Sequence, residues 1–470
     1  MANPTSTSPL LGDDHKSESP YPPVSYEGRN TYVVERPAAR DRRRPRLQSR
    51  FCHYLLATIF TVAVLLHLRR PALHIGHLFG GRKASLGFPT MDSSMSGMPL
   101  FDLGDPRVEW ECVNGEDFDF SSDRPSHDGR WKATTSLTVP VDASSLFFFS
   151  HGSYSYGDVD LVLAESASDV VSVDIEAGYH TRRALDRARA CRFKCERFGE
   201  GVAILTPKRE YPHRDHRDDV YFHLTIRIPP QASALRHIPS LRTSFPLFGQ
   251  TMHNLTEAIE FGEVGLYSTN RQITTEDIRV REVGVHTTNA AILGSFNTTS
   301  NLTLVTSNSP IKVDVTAYNQ GSVNNLVMHT TNNVLAANLS LLTSPASSGP
   351  GAFEVTATTT NSPLHVNHLT SPADSVLNAK FATTNSPAYV RLDPAFEGTF
   401  TASTTHFTPS IQYINAEDPA GRNRERKVHL DFVMRGMARG TVGWEPLEHG
   451  RGEPGSVVLS STNSPVYLTL

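Results

Sequence analysis

The chain has 470 residues, 20% of them charged, and a formal net charge of −4. That balance is ordinary for a globular protein and supplies no global attraction to nucleic acid. Four cysteines are too few in a chain of this length for a disulfide scaffold.

Residues 1–50 read as a disordered cytosolic tail. Proline, serine and charge dominate "SESPYPPVSYEG" and "RPAARDRRRPR", with no apolar face to offset chain entropy. Residues 51–68, "FCHYLLATIFTVAVLLHL", carry no Asp, Glu, Lys or Arg. As a helix at ~1.5 Å per residue they span roughly 27 Å, enough to cross a thin bilayer core. A transmembrane helix is therefore expected there. Arg40, Arg42, Arg43, Arg44, Arg46 and Arg50 precede it, against Arg69, Arg70, Arg82 and Lys83 after it. The bias predicts a signal anchor with a cytosolic N-terminus. The location expected is a single pass through the plasma membrane or a membrane of the secretory pathway, with membrane lipid as a partner. Cys52 at the boundary is a palmitoylation candidate. Residues 69–104, rich in Gly, Ser, Met and Pro, read as a stalk.

Beyond the stalk, four Asn-x-Ser/Thr sequons occur, at Asn254, Asn297, Asn301 and Asn338. They suit a lumenal or extracellular glycoprotein. Residues 105–245 read as a sandwich-like β-rich domain. In "DVYFHLTIRIP", Val220, Phe222, Leu224, Ile226 and Ile228 alternate with polar neighbours, so one face is buried and the other wet. "CRFKCERFGEGVAILT" reads as a hairpin. Cys191 and Cys195 then lie ~13 Å apart along one strand, too far to bond each other. Cys112 is the disulfide candidate for either.

From 246 to 470 a repeat takes over. "TSNSPIKV", "TTNSPLHV", "TTNSPAYV" and "STNSPVYL" recur, and the motif asparagines fall at Asn270, Asn289, Asn308, Asn332, Asn361, Asn385 and Asn463. A partial unit, "STTHFTPSIQYI", has His406 in the asparagine place. Periods of ~20–30 residues mark stacked repeats. After each motif apolar residues alternate, as in Ile311, Val313 and Val315, so each unit reads strand, corner, strand. Asn and Ser satisfy backbone groups at a corner, and Pro, lacking an N–H, marks the first strand residue. Aligned asparagines can hydrogen-bond up and down a ladder. The expected fold is all-β: the sandwich-like domain, then a parallel β-solenoid. An antiparallel sandwich with repeated hairpin turns is the competing architecture. Residues 415–455 form a charged insertion before the last unit. The chain then ends on "VYLTL", whose edge is either covered by the insertion or open to a partner.

This plan resembles a group of uncharacterised fungal single-pass membrane proteins with Asn-Ser-Pro-punctuated repeats. More remotely, the repeat is similar to the adhesin β-solenoid domains of bacterial surface proteins. The resemblance covers most of 105–470. It implies a fold and a cell-surface habit, and it carries over no functional residues.

The search for chemistry gives few candidates. Asp158-Val159-Asp160 has the D-x-D form with which many Golgi glycosyltransferases hold a metal, and also the form of any half-wet strand. His213, Asp215, His216, Asp218, Asp219 and His223 cluster in sequence but match no standard zinc spacing. Asp314 and Glu354 are carboxylates that could meet across coils. Nothing asks for a cofactor or resident metal. The outward positions carry Thr, Ser, Asn, Tyr and His, a surface suited to a cell-wall glycan or a surface protein. The expected role is thus non-enzymatic, adhesin-like or structural. The rival is a secretory-pathway carbohydrate-active enzyme using Asp158 and Asp160.

Overall fold

The computed structural model describes residues 107–470, apart from 121–129, 197, 209–215, 346, 348 and 447–453. The tail, the membrane segment, Cys52 and the stalk lie outside the described residues. No helix among those described is long and apolar enough to cross a membrane. They belong to one compact unit and are almost entirely β.

Two mostly parallel ladders run through this unit. The first stacks Gly199–Leu205, Leu146–His151, Arg236–Ser244, Ile259–Tyr267, Arg279–His286, the second half of Ile292–Val305, and Asn324–His329. It continues through Ala352–Thr358, Val376–Thr383, Gly455–Ser461 and Gly398–Thr404. The second stacks Val220–Ile228, Ser155–Leu163, Phe248–Met252, Ile273–Thr275, the first half of Ile292–Val305, and Ile311–Asn319. It continues through Leu335–Thr343, Leu364–Thr370, Ala388–Arg391, Val466–Thr469 and Ser410–Gln412. In each coil the chain climbs the first ladder, turns a corner and enters the second. Successive coils therefore pair in parallel, the pairing a solenoid requires and an antiparallel sandwich lacks.

Alternation decides what is inside. Leu302, Leu304, Leu326, Met328, Val355 and Phe381 of the first ladder meet Ile311, Val315, Leu335, Leu339 and Leu364 of the second in one continuous core. A smaller cluster around Phe147, Phe149 and Phe193 occupies the other face of the first ladder. That is why "LFFFSH" is buried almost throughout.

The sequence placed a boundary at 245–246, but the ladders pass through it unbroken. Arg236–Ser244 pairs in parallel with both Leu146–His151 and Ile259–Tyr267. The region before 245 holds the first coils plus antiparallel end strands. Arg189–Cys195 and Val108–Asn114 extend the first ladder. Val170–Tyr179 and Trp131–Pro140 extend the second. These coils turn without an Asn-Ser-Pro corner, so their sequence hides the stack. "TRRALDRARA" contains a short helix, Arg182–Asp186, whose Thr181 Oγ1 accepts from the Ala184 N–H.

The C-terminal coils are out of chain order. Gly455–Ser461 and Val466–Thr469 slot between the coil before them in space and the partial unit at Gly398–Gln412. The last strand is therefore internal, and the partial unit covers the edge. The insertion supplies an antiparallel hairpin, Glu425–Met434 with Met437–Glu445, that extends the first ladder. Trp444 fastens it: its Nε1 donates to Pro394 O at 3.1 Å and its side chain is buried. Beside it Arg424 grips Asp418 through Nε (3.1 Å) and Nη2 (3.0 Å), which holds the Asp418 carboxyl below the usual carboxylate range.

At the corners the asparagine ladder expected from sequence is formed. Each Nδ2 donates to the Oδ1 of the coil below: Asn289 to Asn270 at 2.8 Å, then Asn308, Asn332, Asn361, Asn385 and Asn463 in succession at 2.7 Å. Two residues earlier stands a buried Ser or Thr. The Thr330 hydroxyl donates to Ser309 O (3.0 Å), Ser461 to Ser386 O (3.1 Å) and Thr404 to Ser464 O (2.9 Å). Asn361→Ala removes two ladder bonds and leaves the Asn332 Oδ1 and the Asn385 Nδ2 without their ladder partner, whereas Asn270→Ala removes one described bond. Urea unfolding should show Asn361→Ala destabilised by about 1–2 kcal/mol and Asn270→Ala by roughly half of that. Equal losses would mean the amides do not act as a ladder.

His368 sits in the core, 3% exposed and opposite Leu339. Burial pulls its imidazole down to about 4. The folded value lies below the unfolded one of ~6.5, so the unfolded chain takes the proton first. Stability is complete above ~6.5 and falls by about 3 kcal/mol as pH drops to ~4. His368→Leu should remove that part of the acid slope. Parallel pH–stability curves for the two proteins would refute it.

Candidate functional site

The outer face of the second ladder carries the polar and aromatic side chains that the core leaves over. Because coils pair in register, equivalent positions form columns. One column runs Lys312, Ala336, His365, Tyr389, Tyr467 and Ser410. Its rings stack face to face: His365 on Tyr389 with centroids 4.9 Å apart and planes 8° apart, Tyr389 on Tyr467 at 4.8 Å and 3°. Tyr389 is 40% and Tyr467 36% exposed. Partial burial lowers the His365 imidazole, favouring the neutral ring.

The next outward column runs Asp314, Asn338, Asn367, Arg391, Thr469 and Gln412. Asn338 Nδ2 donates to Asp314 Oδ1 at 2.7 Å, and Asn367 Nδ2 to Asn338 Oδ1 at 3.4 Å. Aromatic edges and amide or guanidinium donors thus lie side by side along three coils. Sequence reasoning found the residue types but not the columns, because the spacing between coils varies from 19 to 29 residues before the last unit.

Asp158 and Asp160 lie toward the other end of this ladder, on the same outward face of Ser155–Leu163. Both are engaged. Tyr221 OH donates to Asp158 Oδ2 at 2.8 Å. Asp160 faces His223 Nε2 at 3.6 Å and His253 Nε2 at 3.7 Å, and His253 Nδ1 meets Glu276 at 3.1 Å. So, among the described residues of the histidine–acid run, His223 is the one that reaches the D-x-D. Asp218 instead pairs with Arg187 at 2.8 Å, and His216 lies 3.7 Å from Asp219. His213 and Asp215 lie outside the described residues. Among the described residues no group of three or more His, Cys, Asp and Glu side chains is arranged to hold a metal ion. Asp314 and Glu354 stand on different ladders and do not meet.

Cys112 and Cys191 lie opposite each other on paired strands and form a disulfide, and Cys195 is buried and free. The four sequon asparagines occupy different settings. Asn254, Asn301 and Asn338 are exposed. Asn254 Oδ1 accepts from the Thr256 N–H (3.1 Å) and hydroxyl (2.7 Å). Asn297 is half-buried and its Nδ2 donates to Asp277 at 2.7 Å.

No family model matches the chain, and no curated protein does. Among solved structures, the crystal structure of a "putative cell adhesion protein" from Clostridium sporogenes matches at 6% identity with a TM-score of 0.19. The match covers 72% of this chain and 99% of that one. A likeness at that score carries no part of the argument below.

Tyr221 offers a direct reading of the Asp158 contact. Its phenol is pushed up to about 12, first by burial and then by the bond to Asp158. Asp158→Asn removes the carboxylate but not the burial. The Tyr221 phenol should then titrate lower than in the parent, yet still above the ordinary ~10. Ultraviolet titration of each protein against its Tyr221→Phe counterpart isolates this residue. An unmoved phenol would show that the contact does not form in solution.

Proposed function

We propose that this chain is a non-enzymatic, single-pass type II membrane glycoprotein whose parallel β-solenoid ectodomain is adhesin-like or structural. It faces the cell wall or another cell from the plasma membrane or the secretory pathway, with its N-terminus in the cytosol. The observation that supports the reading best is the outer face of the second ladder. Aromatic and amide columns there are exposed, repeat coil by coil and rest on a continuous core, as an extended binding surface needs. The apolar segment 51–68 with its arginine-rich flank, and the sequons after it, support the membrane topology. The rival enzyme reading draws on Asp158 and Asp160, whose engagement with Tyr221, His223 and His253 suits a solvated structural face better than an open metal site.

Two measurements test this. The full chain made in microsomes should shift in mobility on endoglycosidase treatment, with the part after residue 70 protected from protease. A digested C-terminal part and no shift would place the repeats in the cytosol and overturn the topology. Cells displaying the full chain should then be retained on a layer of like cells under flow more strongly than cells lacking it. Equal retention would remove adhesion and leave a structural role.

A further inference from the structure

His365, Tyr389 and Tyr467 occupy equivalent outward positions, and in-register parallel stacking lays their rings face to face. Here they form a column with nearly parallel planes along three successive coils. The column ends at Ser410. Its exposed surface is a row of ring edges. Asn367, Arg391 and Thr469 line the row on one side. The amide both donates and accepts hydrogen bonds, the hydroxyl does the same, and the guanidinium donates.

Charge is sparse on this surface. Within the two columns from Lys312 to Ser410 and from Asp314 to Gln412, the ionic side chains are Lys312, Asp314 and Arg391. A polyanion would find too few cations. A neutral sugar polymer can lay its C–H groups along the ring edges and offer hydroxyls to the amides. Equivalent positions recur at the strand spacing of ~4.8 Å, so one extended polymer can meet the same column at successive coils.

We propose that the column His365–Tyr389–Tyr467, flanked by Asn367, Arg391 and Thr469, binds a neutral β-linked polysaccharide running along the stack. The assignment rests on the adhesin-like reading and names its ligand class.

Affinity electrophoresis of the detergent-solubilised full chain tests it, in gels containing hydroxyethyl cellulose, laminarin or dextran sulfate. At least one of the two neutral β-glucans should retard the chain. Tyr389→Ala and Tyr467→Ala should each weaken that retardation by about fivefold or more, the loss of roughly one aromatic contact. Tyr389→Phe keeps the ring and the stack, and should retain most of the retardation even where the alanine variants fold poorly. Retardation by dextran sulfate alone, by neither neutral glucan, or undiminished in folded alanine variants would each overturn the proposal. If the glucans fail while displayed cells still adhere, the ligand class falls and the adhesin-like reading stands. If adhesion fails too, both fall.

Discussion

At most corners of the repeat a Ser or Thr hydroxyl, shut away from water, donates to a backbone carbonyl of the neighbouring coil, and two residues later an asparagine amide donates to the side-chain oxygen of the neighbouring asparagine at the surface. The remaining architecture follows from this repeated contact. A buried carbonyl left without a donor costs ~1–3 kcal/mol, so each corner accepts only one register with the next. A slip by one residue would also turn every core side chain outward. The magnitudes separate the roles. Each buried Leu, Ile or Phe contributes about 1.5–3 kcal/mol, whereas an exposed amide bond contributes ~0.5–1.5 kcal/mol. The core therefore supplies most of the stability, and the corner decides which strand lies on which.

Register explains why loop length is free. Units differ in length because the second turn of each coil grows or shrinks while the Asn-Ser-Pro corner holds its place. The same freedom permits the out-of-order C-terminus. Asn463 bonds to Asn385 across 78 residues of sequence, because the corner recognises its neighbour by geometry and not by chain distance. Antiparallel strands continue the first ladder at both ends, so its edge strands are Val108–Asn114 and Glu425–Met434 and not repeat coils.

Columns on the outer face are the functional counterpart of the same constraint. A residue outward in one coil stands directly above its equivalent in the next, so single exposed side chains become rows. The aromatic row and the amide row beside it are products of stacking. Asp158 and Asp160 illustrate the opposite effect. A D-x-D that suggests chemistry in sequence is, in place, two outward side chains of a strand whose neighbours supply Tyr221, His223 and His253 to meet them.

Much of this was legible in the residues. The alternation after each motif named the core positions, and the Asn-Ser-Pro spacing named the corners and the asparagine ladder. These are local properties, fixed by a period of two along a strand and by the backbone needs of a tight turn. The buried Ser or Thr two residues before each asparagine was equally regular, and its constancy was the signal that could have found it. What only the tertiary structure decided was adjacency. The coils before residue 245 lack the motif, so nothing local marks them as part of the stack. The place of the last unit inside the ladder, the separation of Asp314 from Glu354, and the alignment of His365, Tyr389 and Tyr467 all depend on which strand lies next to which. That is settled by long-range packing between segments whose separation the sequence leaves unconstrained.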